Sequence, residues 1–274
     1  MTTGDIEAGL RLCRASGWNQ VSRDWEQFLR LNPDGARVIE KAGSVVGTVT
    51  TLRYGGFGWI AMILVDPAER GRGLGTRLLD TGLEVLGPGT CARLDATPAG
   101  ERIYRPRGFV PEYPLSRMTR AAQRPALTAR SPHVRLMTRA DLPAAAEWDK
   151  DAFGANRRGM LEWLHAGAPE YAWIARRDGR VAGYMLGRHG FAFEHLGPIV
   201  ADGTETAIDL VSACLSSQPG PRYGIDATRH AADWVRWLDE TGFEEQRAFL
   251  RMARNPARFG APERLFASVG PEFG

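Results

Sequence analysis

The 274-residue sequence repeats itself, and this limits what it can fold into more than any other feature. Met1-Thr2-Thr3-Gly4-Asp5-Ile6 returns as Met137-Thr138-Arg139-Ala140-Asp141-Leu142, and Val45-Val46-Gly47-Thr48 as Val181-Ala182-Gly183-Tyr184, each pair 136 positions apart. Further on, Leu94-Asp95-Ala96-Thr97 matches Ile225-Asp226-Ala227-Thr228, Gly108-Phe109 matches Gly242-Phe243, and Leu115-Ser116-Arg117-Met118 matches Leu250-Arg251-Met252. One short match is chance, whereas a series in the same order is a duplicated domain. The chain therefore divides into a first unit at 1–120, a linker at 121–131 made of turn and breaker residues, a second unit at 132–254 and a tail at 255–274. The strand-like His133-Val134-Arg135-Leu136 has no counterpart in the first unit. Either that unit lacks the strand or the true start lies upstream of Met1. The end of the tail, Phe266 to Gly274, is apolar enough to dock on the body.

Composition narrows the function classes. With 43% hydrophobic residues and eight Trp, the chain can bury two cores. The net charge is only +3 and there are no long Lys/Arg runs, so nucleic acid is not expected as a partner. No apolar run approaches the roughly 20 residues of a membrane span, and the N-terminus lacks the pattern of a secretory signal. The expectation is a cytoplasmic protein with no membrane partner, monomeric or homodimeric. Cys13, Cys91 and Cys214 are scattered without C-x-x-C spacing, and His165, His189, His195 and His230 show no ligand spacing, so no metal is expected.

Hydrophobic periodicity in the first unit predicts, in order, helix, helix, strand, strand, strand, helix, strand, helix, strand. Thr2 and Asp5 fit a cap before Ile6-Leu10-Cys13, and a second helix runs from about Ser22. Arg37 to Glu40 and Val45 to Leu52 flank a Gly43 turn as a hairpin. Trp59 to Val65 reads as a central strand, Thr76 to Leu86 as a helix, Arg93 to Ala96 as a short strand, Gly100 to Arg105 as a short helix and Tyr113 to Thr119 as a last strand. The fold class is α/β, a mixed sheet with helices on both faces, built twice in tandem.

Between the central strand and its helix lies Glu69-Arg70-Gly71-Arg72-Gly73-Leu74-Gly75-Thr76. Glycines at 71, 73 and 75 allow positive φ and let backbone amides approach a diphosphate. The helix starting near Thr76 adds its unpaired N–H groups, and Arg70 and Arg72 add cationic donors. A Walker loop needs Gly-Lys-Ser/Thr, and no lysine is present. A dinucleotide fingerprint needs a third small residue where Thr76 stands.

Val65-Asp66-Pro67-Ala68-Glu69-Arg70-Gly71-Arg72-Gly73-Leu74-Gly75 resembles the R/Q-x-x-G-x-G/A signature of the GNAT-type N-acetyltransferases, and Ile103-Tyr104-Arg105-Pro106-Arg107-Gly108-Phe109 is similar to their C-terminal Y-x-x-x-G-F motif. The resemblance covers about Ile6 to Met118. It implies two tandem GNAT-like domains, acetyl-CoA as donor, and direct transfer to an amine. It also implies a splayed central strand whose Leu64 and Val65 backbone groups pair with pantetheine, and a Tyr104 that protonates or hydrogen-bonds the CoA sulfur. Many members place Asn seven residues before that tyrosine; here Thr97 stands there. Trp18 and Asn19 lie where the family's acceptor site begins. As general base, Asp95 and Glu40 are candidates by residue type only.

In the second unit the corresponding loop reads Ala201-Asp202-Gly203-Thr204-Glu205-Thr206, with one glycine, no arginine and two acids that repel a diphosphate. Trp234 stands in the helix corresponding to that of Tyr104. The expectation is a degenerate second domain without cofactor and one acetyl-CoA per chain. The leading function is acetylation of a small-molecule primary amine. The alternatives are a protein or peptide N-acetyltransferase and a non-catalytic acyl-CoA-binding sensor.

Overall fold

A computed structural model describes residues 1–124, 127–128 and 131–274; positions 125, 126, 129 and 130 of the expected linker lie outside the described residues. The first repeat runs α1 (Ile6–Ala15), α2 (Ser22–Leu31), β1 (Arg37–Lys41), β2 (Ser44–Tyr54), β3 (Phe57–Val65), α3 (Leu74–Leu86), β4 (Cys91–Ala96), α4 (Pro98–Tyr104) and β5 (Val110–Arg120). The second runs β6 (Val134–Leu136), α5 (Leu142–Phe153), α6 (Arg158–Gly167), β7 (Trp173–Arg177), β8 (Arg180–Arg188), β9 (Glu194–Ala201), α7 (Thr204–Ser217), β10 (Tyr223–Thr228), α8 (Ala232–Glu240) and β11 (Phe243–Arg254). One further strand, β12 (Leu265–Ala267), lies in the tail. The order of elements in the first repeat is the one its periodicity predicts. The duplication shows in the turns as well: Ala42-Gly43 and Asp178-Gly179 both take positive φ at two successive residues, the geometry that matches a hairpin's twist.

All strands join one sheet, in the order β1-β2-β3-β4-β11-β5-β10-β12-β9-β8-β7-β6. The two repeats are therefore not two separate sheets. Strand β5 of the first repeat lies between β11 and β10, and β11 of the second lies between β4 and β5. Each repeat donates its last strand to the other. The division at 121–131 is a boundary in the sequence and not a boundary between sheets.

A pair of buried ion pairs fixes this exchange. Arg117 on β5 stands opposite Asp226 on β10 and donates Nε and Nη2 to its two carboxylate oxygens, both at 2.8 Å. Arg251 on β11 stands opposite Asp95 on β4 and does the same at 2.8 and 2.9 Å. The repeat equates Arg117 with Arg251 and Asp95 with Asp226, so each arginine reaches across to the aspartate of the other repeat.

Helices cover both faces. Leu12, Trp25 and Phe28 from α1 and α2 share one hydrophobic cluster with Leu142, Phe153, Leu161 and Leu164 from α5 and α6. On the opposite face α3 packs Leu78, Leu79 and Leu86 on Val49, Ile60, Leu94 and Met252, while α7 and α8 form their own cluster. The tail is buried from Leu265 to Gly270. Beyond it, the Pro271 carbonyl accepts from Trp59 Nε1 at 2.9 Å and the Phe273 carbonyl from the Tyr54 hydroxyl at 2.7 Å. Among the described residues no helix is long and apolar enough to cross a membrane.

Candidate active site

Past Val65, the Asp66 carboxylate accepts the Ala68 amide at 3.1 Å and caps the short turn Pro67–Glu69. The chain then reverses through Gly71 (φ 76°) and Gly73 (φ 77°), conformations in which an L-side chain is strained. Helix α3 begins at Leu74, two residues earlier than the periodicity places it, because Gly73 itself is the N-cap. Gly75 therefore sits in the first helical turn and needs no positive φ. The Arg77 amide already pairs with the Gly73 carbonyl at 3.1 Å, which leaves the amides of Leu74, Gly75 and Thr76 without helical acceptors. Arg70 lines the cavity at its rim, donating Nε to the Val65 carbonyl at 3.2 Å. Arg72, expected with it, does not line the cavity: it is exposed and ion-paired to Glu69 at 3.1 Å.

The cavity, about 920 Å³, opens from this loop into a gap in the sheet. Strands β3 and β4 pair in parallel only from Phe57↔Cys91 to Trp59↔Arg93, so the β3 edge from Ile60 to Val65 has no strand partner on that side among the described residues. A bulge at Met62 (φ 52°), whose carbonyl accepts the Thr48 hydroxyl at 2.8 Å, re-aims the strand in its middle. Leu64 and Val65 line the gap, as do Gly71, Gly73, Leu74, Gly75 and Thr76. Val65 lies six positions beyond Trp59, about 20 Å of strand at ~3.3 Å per residue. The cleft can therefore hold a long, thin ligand with amides along its side and an anion at its end.

Tyr104 and Thr97 face the same cleft. Thr97 is the N-cap of α4, accepting the Gly100 amide at 3.2 Å and leaving its own O–H free to donate. The Tyr104 ring lies tilted against Phe109 and over Gly100; a Cβ at position 100 would stand 2.8 Å from that ring. Burial pushes the phenol up to about 12, so it carries its proton at neutral pH.

At the other end, Trp18 and Gln20 from the α1–α2 connection reach the cavity. The Gln20 side chain is 2% exposed and its Oε1 has no hydrogen-bond partner among the described residues. Asn19 does not line the cavity. Its amide donates to the Phe193 carbonyl at 3.0 Å and accepts from the Ala192 and Phe193 amides, so it fastens a loop of the second repeat. Asp95 lines the cavity but is held by both oxygens on Arg251, and Glu40 is exposed on β1, away from it. Neither is placed to act as a base.

The residues that the sequence did not point to are Gln20 from the α1–α2 connection, Arg247 and Phe249 from β11, and Pro271 and Glu272 from the tail, beside Arg117 of β5. The apolar tail was a signal that it docks, and no signal showed where.

The corresponding gap in the second repeat is closed. Strands β9 and β10 pair in parallel only at Tyr223↔Glu194 and Gly224↔His195, and β12 then enters the gap between them, pairing with both. Trp234 is fully buried and donates Nε1 to the Phe266 carbonyl at 3.1 Å, so the residue in the helix corresponding to that of Tyr104 holds the plug in place. At the head of α7, Asp202 accepts the Thr206 hydroxyl at 2.6 Å and pairs with Arg177 at 3.1 Å, a carboxylate where the first repeat has open amides.

This duplicated geometry has a match in known families. One model, described as the acetyltransferase (GNAT) family, matches residues 11–109, and a second, described as an acetyltransferase (GNAT) domain, matches 145–267. The chain belongs to the GNAT acetyltransferases, in the tandem form. This GNAT protein is 27% identical over 242 residues to the uncharacterised N-acetyltransferase YitH of Bacillus subtilis, spanning 86% of this chain and 83% of that one. It is 23% identical over 262 residues to the holothin acyltransferase of a Pseudoalteromonas species, covering 95% and 88%. A solved protein of Pyrococcus horikoshii shares the fold with a TM-score of 0.83 at 22% identity, over 100% of this chain and 94% of that one. Family and relatives make it an acyltransferase.

Proposed function

We propose that this chain moves an acetyl group from acetyl-CoA to the primary amine of a small molecule by direct attack, using the first repeat's cleft. The observation that carries the reading is the continuity of that cleft: one cavity joins the open amides at the head of α3, the unpaired edge of β3 and Tyr104. The head of α3 suits the diphosphate of CoA, and the β3 edge suits its amide-bearing arm. That a relative is named for acylating holothin supports a small acceptor. So does the position of the tail and β11, which wall the cavity where a protein substrate would need an open groove.

Chemically, the developing negative charge on a thioester carbonyl needs donors, and the backbone amides near Val65 on the open β3 edge supply them in this reading. The Tyr104 hydroxyl, protonated throughout the neutral range, supplies a proton or hydrogen bond to the departing sulfur. An alkylamine with a pKa of about 10.4 must lose its proton before attack.

Thiol release from acetyl-CoA with a panel of amino acids, polyamines and amine antibiotics tests the reading. Amine-dependent release supports it. Acetyl-CoA binding with no release beyond hydrolysis, for any amine, would favour the sensor reading instead.

A further inference from the structure

The acceptor end of the cavity carries a charge pattern that the transfer chemistry alone does not call for. Arg247 on β11 stands directly opposite Arg117 on β5 in the strand register. Like charges facing each other across a ladder are destabilising. Arg117 is neutralised by Asp226, but Arg247 makes no hydrogen bond or ion pair among the described residues; burial and Arg117 push its guanidinium down against a smaller opposing effect of Asp226. One cation in the cavity therefore has no carboxylate of its own in contact. The reverse holds a short way off. Arg188 is shared by two carboxylates, Asp24 at 3.1 Å and Glu272, all three of them buried. Burial and the neighbouring Glu272 raise Asp24 to about 6 despite Arg188, as expected where two anions share one cation. Glu272 lines the same cavity as Arg247, together with Gln20, whose Oε1 has no partner among the described residues, and the aromatic side chains Trp18 and Phe249.

Resting on the proposed N-acetyltransferase reading, we propose that the acceptor is an amine that also carries a carboxylate, the amino-acid class. Arg247 takes the carboxylate. Glu272 and the Gln20 Oε1 receive the N–H groups of the ammonium. Once the ammonium has given one proton to water, the amine attacks the thioester carbonyl: the C–N bond forms and the C–S bond breaks. Tyr104 protonates the departing sulfur and the second amine proton returns to the Tyr104 oxygen, so that amide, thiol and one proton leave. One charged group comes from the second repeat and the other from the tail, which gives both a part in acceptor choice.

The test compares matched pairs of amines, each an amino acid and its carboxamide, in steady-state thiol release by the full chain with acetyl-CoA. Acids should exceed amides in kcat/KM by roughly 10- to 100-fold, the size of one charge-assisted pair. In Arg247→Gln that ratio should fall close to one, chiefly through KM for the acid, and Arg247→Lys should recover part of it. Glu272→Gln should raise KM for acid and amide alike, because both carry the ammonium. A melting curve for each variant separates loss of fold from loss of recognition. Amides turned over as well as acids, or a ratio unchanged in a folded Arg247→Gln, would overturn the inference. Failure of every amine to release thiol would count against the acetyltransferase reading itself.

Discussion

Tyr104 is held in place by an absence: Gly100 lacks the side chain that would collide with its ring. A phenol raised to about 12 is deprotonated only above the working range of the protein. Loss of the hydroxyl in Tyr104→Phe should lower kcat by roughly 10²-fold, as for removal of a positioned proton donor, with little change in KM for acetyl-CoA. The alkaline side of the wild-type rate profile should stay free of a Tyr104 limb up to about pH 10, which a pH series of initial rates would check. The glycine loop was legible in the sequence because a strand, a glycine-rich turn and a helix head are local features, whereas Tyr104 and Thr97 came from the resemblance to the family's motif, and both line the cleft. Asn19 was misplaced because local order does not say which way a side chain in a connection points: Trp18 turns to the cavity and Asn19 to the second repeat's loop. Arg72 was misplaced for a similar reason, since Glu69 three residues before it offers a nearer partner than any ligand.

At the level of strands, the reciprocal pairs Arg117–Asp226 and Arg251–Asp95 hold the centre of the sheet. Removing one partner leaves a buried charge uncompensated, at a cost of about 3–5 kcal/mol. Urea unfolding of Asp226→Ala should show a loss of that order, and the equivalent Asp95→Ala a comparable one. Arg117 and His195 hold Asp226 well below the ordinary aspartate range against the opposing effect of burial. Its folded pKa lies under its unfolded one, so the unfolded chain takes up the proton first as pH falls. The stabilisation is complete above about pH 4, the usual aspartate value, and is lost on acidification below it. Acid unfolding of Asp226→Asn should accordingly be shallower than that of the wild type. The strands themselves were readable from periodicity, and their pairing was not. The Asp and Arg positions recur identically in both repeats, so pairing within a repeat and pairing between repeats satisfy the same sequence.

For the whole molecule, the sheet is continuous and one hydrophobic cluster draws on helices of both repeats. Calorimetry should show a single cooperative transition and not one for each repeat. With β12 seated in the second gap, titration with acetyl-CoA should give one site per chain. The exchange of strands also sets an order in time. Asp95 meets its arginine only when Arg251 has been made, 156 residues later, a wait of roughly 8 to 30 seconds at 5–20 residues per second. Until then the β4 edge beside the first repeat's cleft has no β11 to pair with, and the segments that complete the sheet and wall the cavity, β11 and the tail, are made after all of the first repeat.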